Sequence, residues 1–227
     1  MKIGILQTGH APQDLLGEFG DYNGMFETLL GGRGFDFDTY RVVDGQFPSG
    51  AEAADGWLIT GSRYGAYEEH DWIPPLEDLI RTIHAQGRPL IGVCFGHQII
   101  AQALGGKVEK YPGGWSIGRV EYERDGKPVS FNAWHQDQVT ELPPGARVLA
   151  GNEFCANAIL AYDDTILTVQ PHPEFGTEFI DGLIRTRGKG VVPDAQLAAA
   201  IEHLHDGPVD SKAFADEMSE FFKKERA

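Results

Sequence analysis

Three residues define the chemistry open to this sequence. Cys94 lies in Gly92-Val93-Cys94-Phe95-Gly96, and His172 and Glu174 lie in Gln170-Pro171-His172-Pro173-Glu174. Gly-x-Cys-x-Gly has the pattern of a nucleophile elbow with sulfur in place of oxygen. Its glycines let a strand and a helix approach closely around a strained central residue. At the helix N-terminus the dipole and the free N–H groups favour negative charge on the sulfur. On the pentapeptide alone, an inert buried cysteine at a strand end remains an open alternative. The prolines fix the backbone on both sides of His172. In extended chain, residues two apart share a side, so His172 and Glu174 can project together. A carboxylate beside an imidazole fixes its tautomer and stabilises its cation. A thiol, a His and an acid together suit nucleophilic acyl transfer. Their order, Cys then His then Glu, differs from the nucleophile–acid–His order of α/β-hydrolases.

Elements must position these groups. Leu90 to Val93 reads as a buried strand and Gln98 to Leu104 as a helix stopped by Gly105-Gly106. Lys2–Gln7, Asp36–Val43 and Gly56–Thr60 read as further strands. Met25–Leu30 reads as a helix end closed by Gly31-Gly32. A helix begins at Asp71-Trp72-Ile73-Pro74-Pro75, with Leu76, Leu79, Ile80 and Ile83 as its apolar face. Past Gly106 the pattern changes to short strands: 107–110, 118–123 and 128–132, then 147–150, 156–162 and 166–169. The first three form an antiparallel extension on one edge of the sheet. Helical patterns cover 177–187, 194–205 and 211–224. The expected fold is α/β: an open, mostly parallel central sheet flanked by helices, flavodoxin-like, with an antiparallel edge extension. One domain is expected over 1–227, its C-terminal helices starting near 176.

Composition narrows the partners. The 227 residues carry a net charge of -15, from 34 acidic and 19 basic side chains. Nucleic acid and anionic membranes demand a basic face, so neither is an expected partner. No stretch approaches the roughly 18 apolar residues of a membrane-spanning helix. The 2 cysteines, Cys94 and Cys155, form no framework, and a reducing cytoplasm fits them.

The stretch Gly92-Val-Cys-Phe-Gly-His-Gln98, the later Gln170-Pro-His-Pro-Glu174 and Thr60-Gly-Ser62 together resemble the class I glutamine amidotransferases. The resemblance covers roughly residues 1–185, with the motifs in the family's order. It implies Cys94 as nucleophile, His172 as general base and acid, and Glu174 as the residue orienting His172. It implies an oxyanion hole from the Phe95 N–H and the Gly61 turn. Gln98 resembles a glutamyl contact, and Trp134, His135 and Gln136 occupy the place of a loop holding the α-amino and carboxylate groups. His97 is structural by the same resemblance, and Cys155 reads as core. No cofactor or metal is implied.

Departures from the family matter too. His135-Gln136-Asp137 stands where the guanosine monophosphate synthetase type has His-Gly-Asp. No phosphate loop follows Glu174. The segment from Gly61 to Ile73 is similar to stand-alone proteins of the family, γ-glutamyl peptidases among them. The leading expectation is cysteine-dependent hydrolysis of a γ-glutamyl amide, in glutamine or a γ-glutamyl peptide or amine, through a thioester. Two alternatives are a glutaminase subunit feeding ammonia to a separate ATP-dependent synthetase, and a non-catalytic binding module of the same fold.

Overall fold

The structure, a computed structural model, describes residues 1–226. Seven strands form the main sheet in the order β2-β1-β3-β4-β11-β10-β9. They are β1 (Lys2–Leu6), β2 (Asp36–Tyr40), β3 (Gly56–Ile59), β4 (Leu90–Val93), β9 (Ala146–Ala150), β10 (Ile159–Tyr162) and β11 (Ile166–Val169). Each contact from β2 through β11 is parallel, whereas β10 runs antiparallel to both its neighbours. β4 is therefore central. All four of its residues are buried, as expected for an apolar run with covered faces.

Period-two alternation sends strand side chains to two cores. Leu90 joins Trp57 and Ile59 beneath α3 (Ile73–Ala85) and α4 (Phe95–Ala103). Ile91 and Val93 join Ile3, Ile5 and Leu58 beneath α2 (Tyr22–Leu29) and α7 (Ser211–Lys223). Each fully buried aliphatic chain in these layers contributes about 2 kcal/mol by leaving water. A third cluster gathers Leu15 of α1 (Gln13–Phe19), Phe179 and Ile180 of α5 (Thr177–Leu183), and Ala200 of α6 (Asp194–His203).

Residues 107–141 make two ribbons rather than extra strands of the main sheet. β5 (Lys107–Lys110) pairs with β8 (Asp137–Glu141), and β6 (Ser116–Arg124) with β7 (Lys127–His135). Asp125 and Gly126, both at positive φ, close the β6–β7 hairpin in the manner of a two-residue turn. An antiparallel bridge from Glu123 to Gly151 ties this hairpin to the β9 edge. A second bridge, Asn132 to His172, ties it to the Pro-flanked loop.

Several boundaries differ from those expected. β2 ends at Tyr40, because Val42–Asp44 coils into a 3-10 turn closed by Gly45 at φ 78°. Residues 156–158 precede β10 as a turn. The expected helix over 177–187 changes to a π-helical turn at Ile184–Gly188. α1 and β8 carried no signal strong enough to be expected. Among the described residues, no helix is long and apolar enough to cross a membrane.

Candidate active site

Strand β4 delivers Cys94 to the carboxyl edge of the sheet, and α4 starts at the next residue. The Cys94 N–H donates to the Val169 carbonyl at 2.9 Å, continuing the β4–β11 ladder by one residue. The chain then turns sharply: Cys94 has φ 53° and ψ -103°, a conformation that costs a non-glycine residue on the order of 1–3 kcal/mol. The flanking glycines allow this turn. A Cβ on Gly92 would lie 2.5 Å from the Gly96 carbonyl oxygen, and one on Gly96 would collide with the Ile59 carbonyl. The Gly96 N–H donates to the Thr60 carbonyl at 3.1 Å, locking α4 against the end of β3.

The loop after β11 brings the second half of the site. The His172 N–H donates to the Asn132 carbonyl at 2.8 Å. The ring Nδ1 pairs with Glu174 Oε1 at 2.8 Å, with side-chain exposures of 4% and 1%. Burial on its own would drive the imidazole neutral. The Glu174 carboxylate, hydrogen-bonded to the ring, and then the Cys94 sulfur override it and raise the His172 pKa above the ordinary value. Both halves converge on Gly61. A Cβ there would meet His172 Cε1 at 3.1 Å and Cys94 Cβ at 3.7 Å. Thr8 Oγ1 donates to the Gly61 carbonyl at 3.0 Å, turning that oxygen away from the cluster and into the β1 end. Among the described residues, neither the Gly61 nor the Phe95 N–H donates a backbone hydrogen bond outside regular elements.

The remaining expected residues divide. Gln98 is buried, and its Nε2 donates to the Asp137 carbonyl at 2.9 Å and to Gln170 Oε1 at 3.1 Å. Only its Oε1 is left for another group. His135 is buried at the end of β7, with Nδ1 3.3 Å from the Asp137 carbonyl oxygen. Burial, and then the neighbouring His172, push its pKa down to about 3. His97 is also held at about 3, by burial and then by His135, and its Nδ1 meets Thr168 Oγ1 at 2.8 Å. Trp134, adjacent to His135 on a strand, takes the opposite face and packs on the third core and on Trp115. Gln136 turns away, its Nε2 donating to the Tyr111 carbonyl at 3.3 Å.

Three neighbours of the cluster were not anticipated. Phe175 stacks on the His172 ring at 3.9 Å and 5° interplanar angle. Asn132 Nδ2 donates to the Phe175 carbonyl at 2.9 Å, so one side chain and its own backbone clamp both ends of the loop. Asp137 carries a half-buried carboxylate whose pKa burial raises. Phe175 directly follows the His-Pro-Glu run, which is the one cue to it in the sequence.

Comparison with known proteins bears on the family and the fold. The family described as "Glutamine amidotransferase class-I" matches residues 41–182. Gamma-glutamyl peptidase 4 of Arabidopsis thaliana is 34% identical over 182 residues, which is 73% of this chain and 72% of that protein. A glutamine-hydrolyzing GMP synthase of Clostridium novyi is 36% identical over 127 residues, 52% of this chain but 24% of that protein. In structure, a glutamine amidotransferase from Thermotoga maritima superposes with a TM-score of 0.75 at 22% identity, covering 98% of this chain and 99% of that one. A matched stretch that includes the Cys94 elbow and the His172–Glu174 loop, on a fold shared along nearly the whole chain, makes this protein a member of the class-I glutamine amidotransferase family.

Proposed function

We propose that the protein hydrolyses a γ-glutamyl amide bond through a glutamyl thioester on Cys94. The Cys94 thiol gives its proton to His172 as the sulfur attacks the γ-carbonyl carbon, and the N–H groups of Gly61 and Phe95 receive the developing oxyanion. His172 donates a proton to the scissile nitrogen, and the C–N bond breaks to release ammonia or an amine. His172 then takes a proton from water, whose oxygen attacks the thioester carbonyl. The C–S bond breaks, glutamate leaves, and His172 returns its proton to the sulfur. Glu174 keeps the ring oriented and supports its cationic form throughout. One observation carries the reading: His172, paired with buried Glu174, and Cys94 both lie against the Gly61 turn.

The similarity to γ-glutamyl peptidase 4 favours a peptide or amine as leaving group. The test is glutamate release from glutamine and from a set of γ-glutamyl peptides. Cys94→Ser is expected to lower kcat by at least about a thousandfold with the fold intact. Absence of turnover on every γ-glutamyl compound contradicts the proposal.

The glutamine-hydrolyzing synthase match motivates a second reading, in which released ammonia passes to a separate ATP-dependent subunit. Purification of the tagged protein from its source cell then recovers such a partner, and glutaminase activity rises in its presence. Recovery of the chain alone, with full activity, contradicts this reading.

A further inference from the structure

A cleft lies beyond the Gly61 turn, on the same carboxyl edge of the sheet, where open α/β sheets bind ligands. Val43, Gly45 and Phe47, after β2, join Tyr64, His70, Asp71 and Trp72, after β3, in lining a cleft of about 460 Å³. One wall is aromatic and already fixed. His70 stacks on Trp72 at 5.9 Å and 14°, and meets the Tyr64 ring edge-on at 4.4 Å. Glu68 holds His70 Nε2 at 2.9 Å. Arg63 lies over the Tyr64 ring at 4.8 Å and donates to its hydroxyl at 2.7 Å. Rings immobilised in advance need little further ordering when a ligand arrives.

The wall packs against the elbow through buried rings. Trp72 packs on Phe95, the residue after Cys94, at 5.4 Å. A Cβ on Gly61 would meet His172 and Cys94, and Tyr64 is three residues further on, within about 11 Å along the chain. In the proposed hydrolysis His172 protonates the scissile nitrogen, so whatever that nitrogen carries leaves the centre beside Gly61. Glutamine carries nothing there and would leave the cleft empty. We infer that the cleft holds the substituent on the scissile nitrogen, and that the substituent bears an aromatic ring. The substrate class is then a γ-glutamyl amide of an aromatic amine or aromatic amino acid. This inference rests on the proposed hydrolysis and specifies its leaving group.

Steady-state kinetics of the full chain on γ-glutamylphenylalanine, γ-glutamylalanine and glutamine provide the test. The expected kcat/KM for the phenylalanine compound exceeds that for the alanine compound by at least about tenfold. Tyr64→Ala is expected to bring that ratio toward one, and Tyr64→Phe to preserve it. Product inhibition of the unmodified protein supplies a readout independent of any variant: phenylalanine should inhibit at least about tenfold more tightly than alanine. Equal kcat/KM for the two peptides, or equal losses on both in Tyr64→Ala, overturns the inference and leaves the hydrolysis standing. No release of glutamate from any of the three overturns the inference, and absence of turnover on every γ-glutamyl compound overturns both.

Discussion

The His172 imidazole is constrained from three directions. Its Nδ1 faces Glu174, its backbone is pinned by Asn132, and one of its faces is covered by Phe175. A buried imidazole would ordinarily lose its proton, and here the Glu174 carboxylate and Cys94 sulfur reverse that tendency. The negative face of the Phe175 ring adds to the same balance. Phe175→Leu keeps an apolar filler and removes the ring face. Expected is a loss of about three- to tenfold in kcat/KM, with the pH limb of His172 moved to lower pH, and restoration of both in Phe175→Tyr. A pH profile of kcat/KM for the three proteins checks this. An unshifted limb would leave Phe175 as packing alone.

At the scale of elements, the elbow is a steric solution. β4 and α4 approach so closely that positions 92 and 96 have room only for hydrogen. Gly96→Ala drives a methyl into the Ile59 carbonyl and must separate α4 from β3. The expected cost is about 3 kcal/mol, read as a lowered urea midpoint with an unchanged slope. The elbow was legible because all its determinants are contiguous: an apolar run, two glycines four apart, and a helical run. The Pro-flanked His172 and Glu174 were legible for the same reason. What remained hidden depends on distant pairings. β8 exists because Val139 pairs with Val108, thirty-one residues earlier. Gln98 loses its amide to Asp137 and Gln170, at separations of 39 and 72 residues. Trp134 and His135, adjacent in sequence, part company because a strand sends neighbours to opposite faces. α1 is seven residues long, with one buried side chain, Leu15, and so shows almost no periodicity.

Across the whole molecule, acid sensitivity follows from two neutral rings. His97 and His135 are buried, and both have values depressed from 6.5 to about 3. Between those values the unfolded chain binds two protons that the folded chain does not. Stability therefore rises with pH through this window and falls on acidification below 6.5, by about 1.4 kcal/mol per pH unit for each ring. Urea unfolding at pH 6 and pH 5 should show the combined slope, and His97→Asn should remove about half of it. A slope that survives the substitution intact would assign the effect elsewhere. The family fold, the buried pair and the glycine elbow all bear on one sulfur atom, so the most direct measurement concerns that atom. Rapid acid quenching during turnover of a γ-glutamyl amide, followed by mass spectrometry of peptides, should find a glutamyl adduct on the peptide containing Cys94. Steady glutamate release with no adduct there, or turnover at an undiminished rate in Cys94→Ala, would contradict the account.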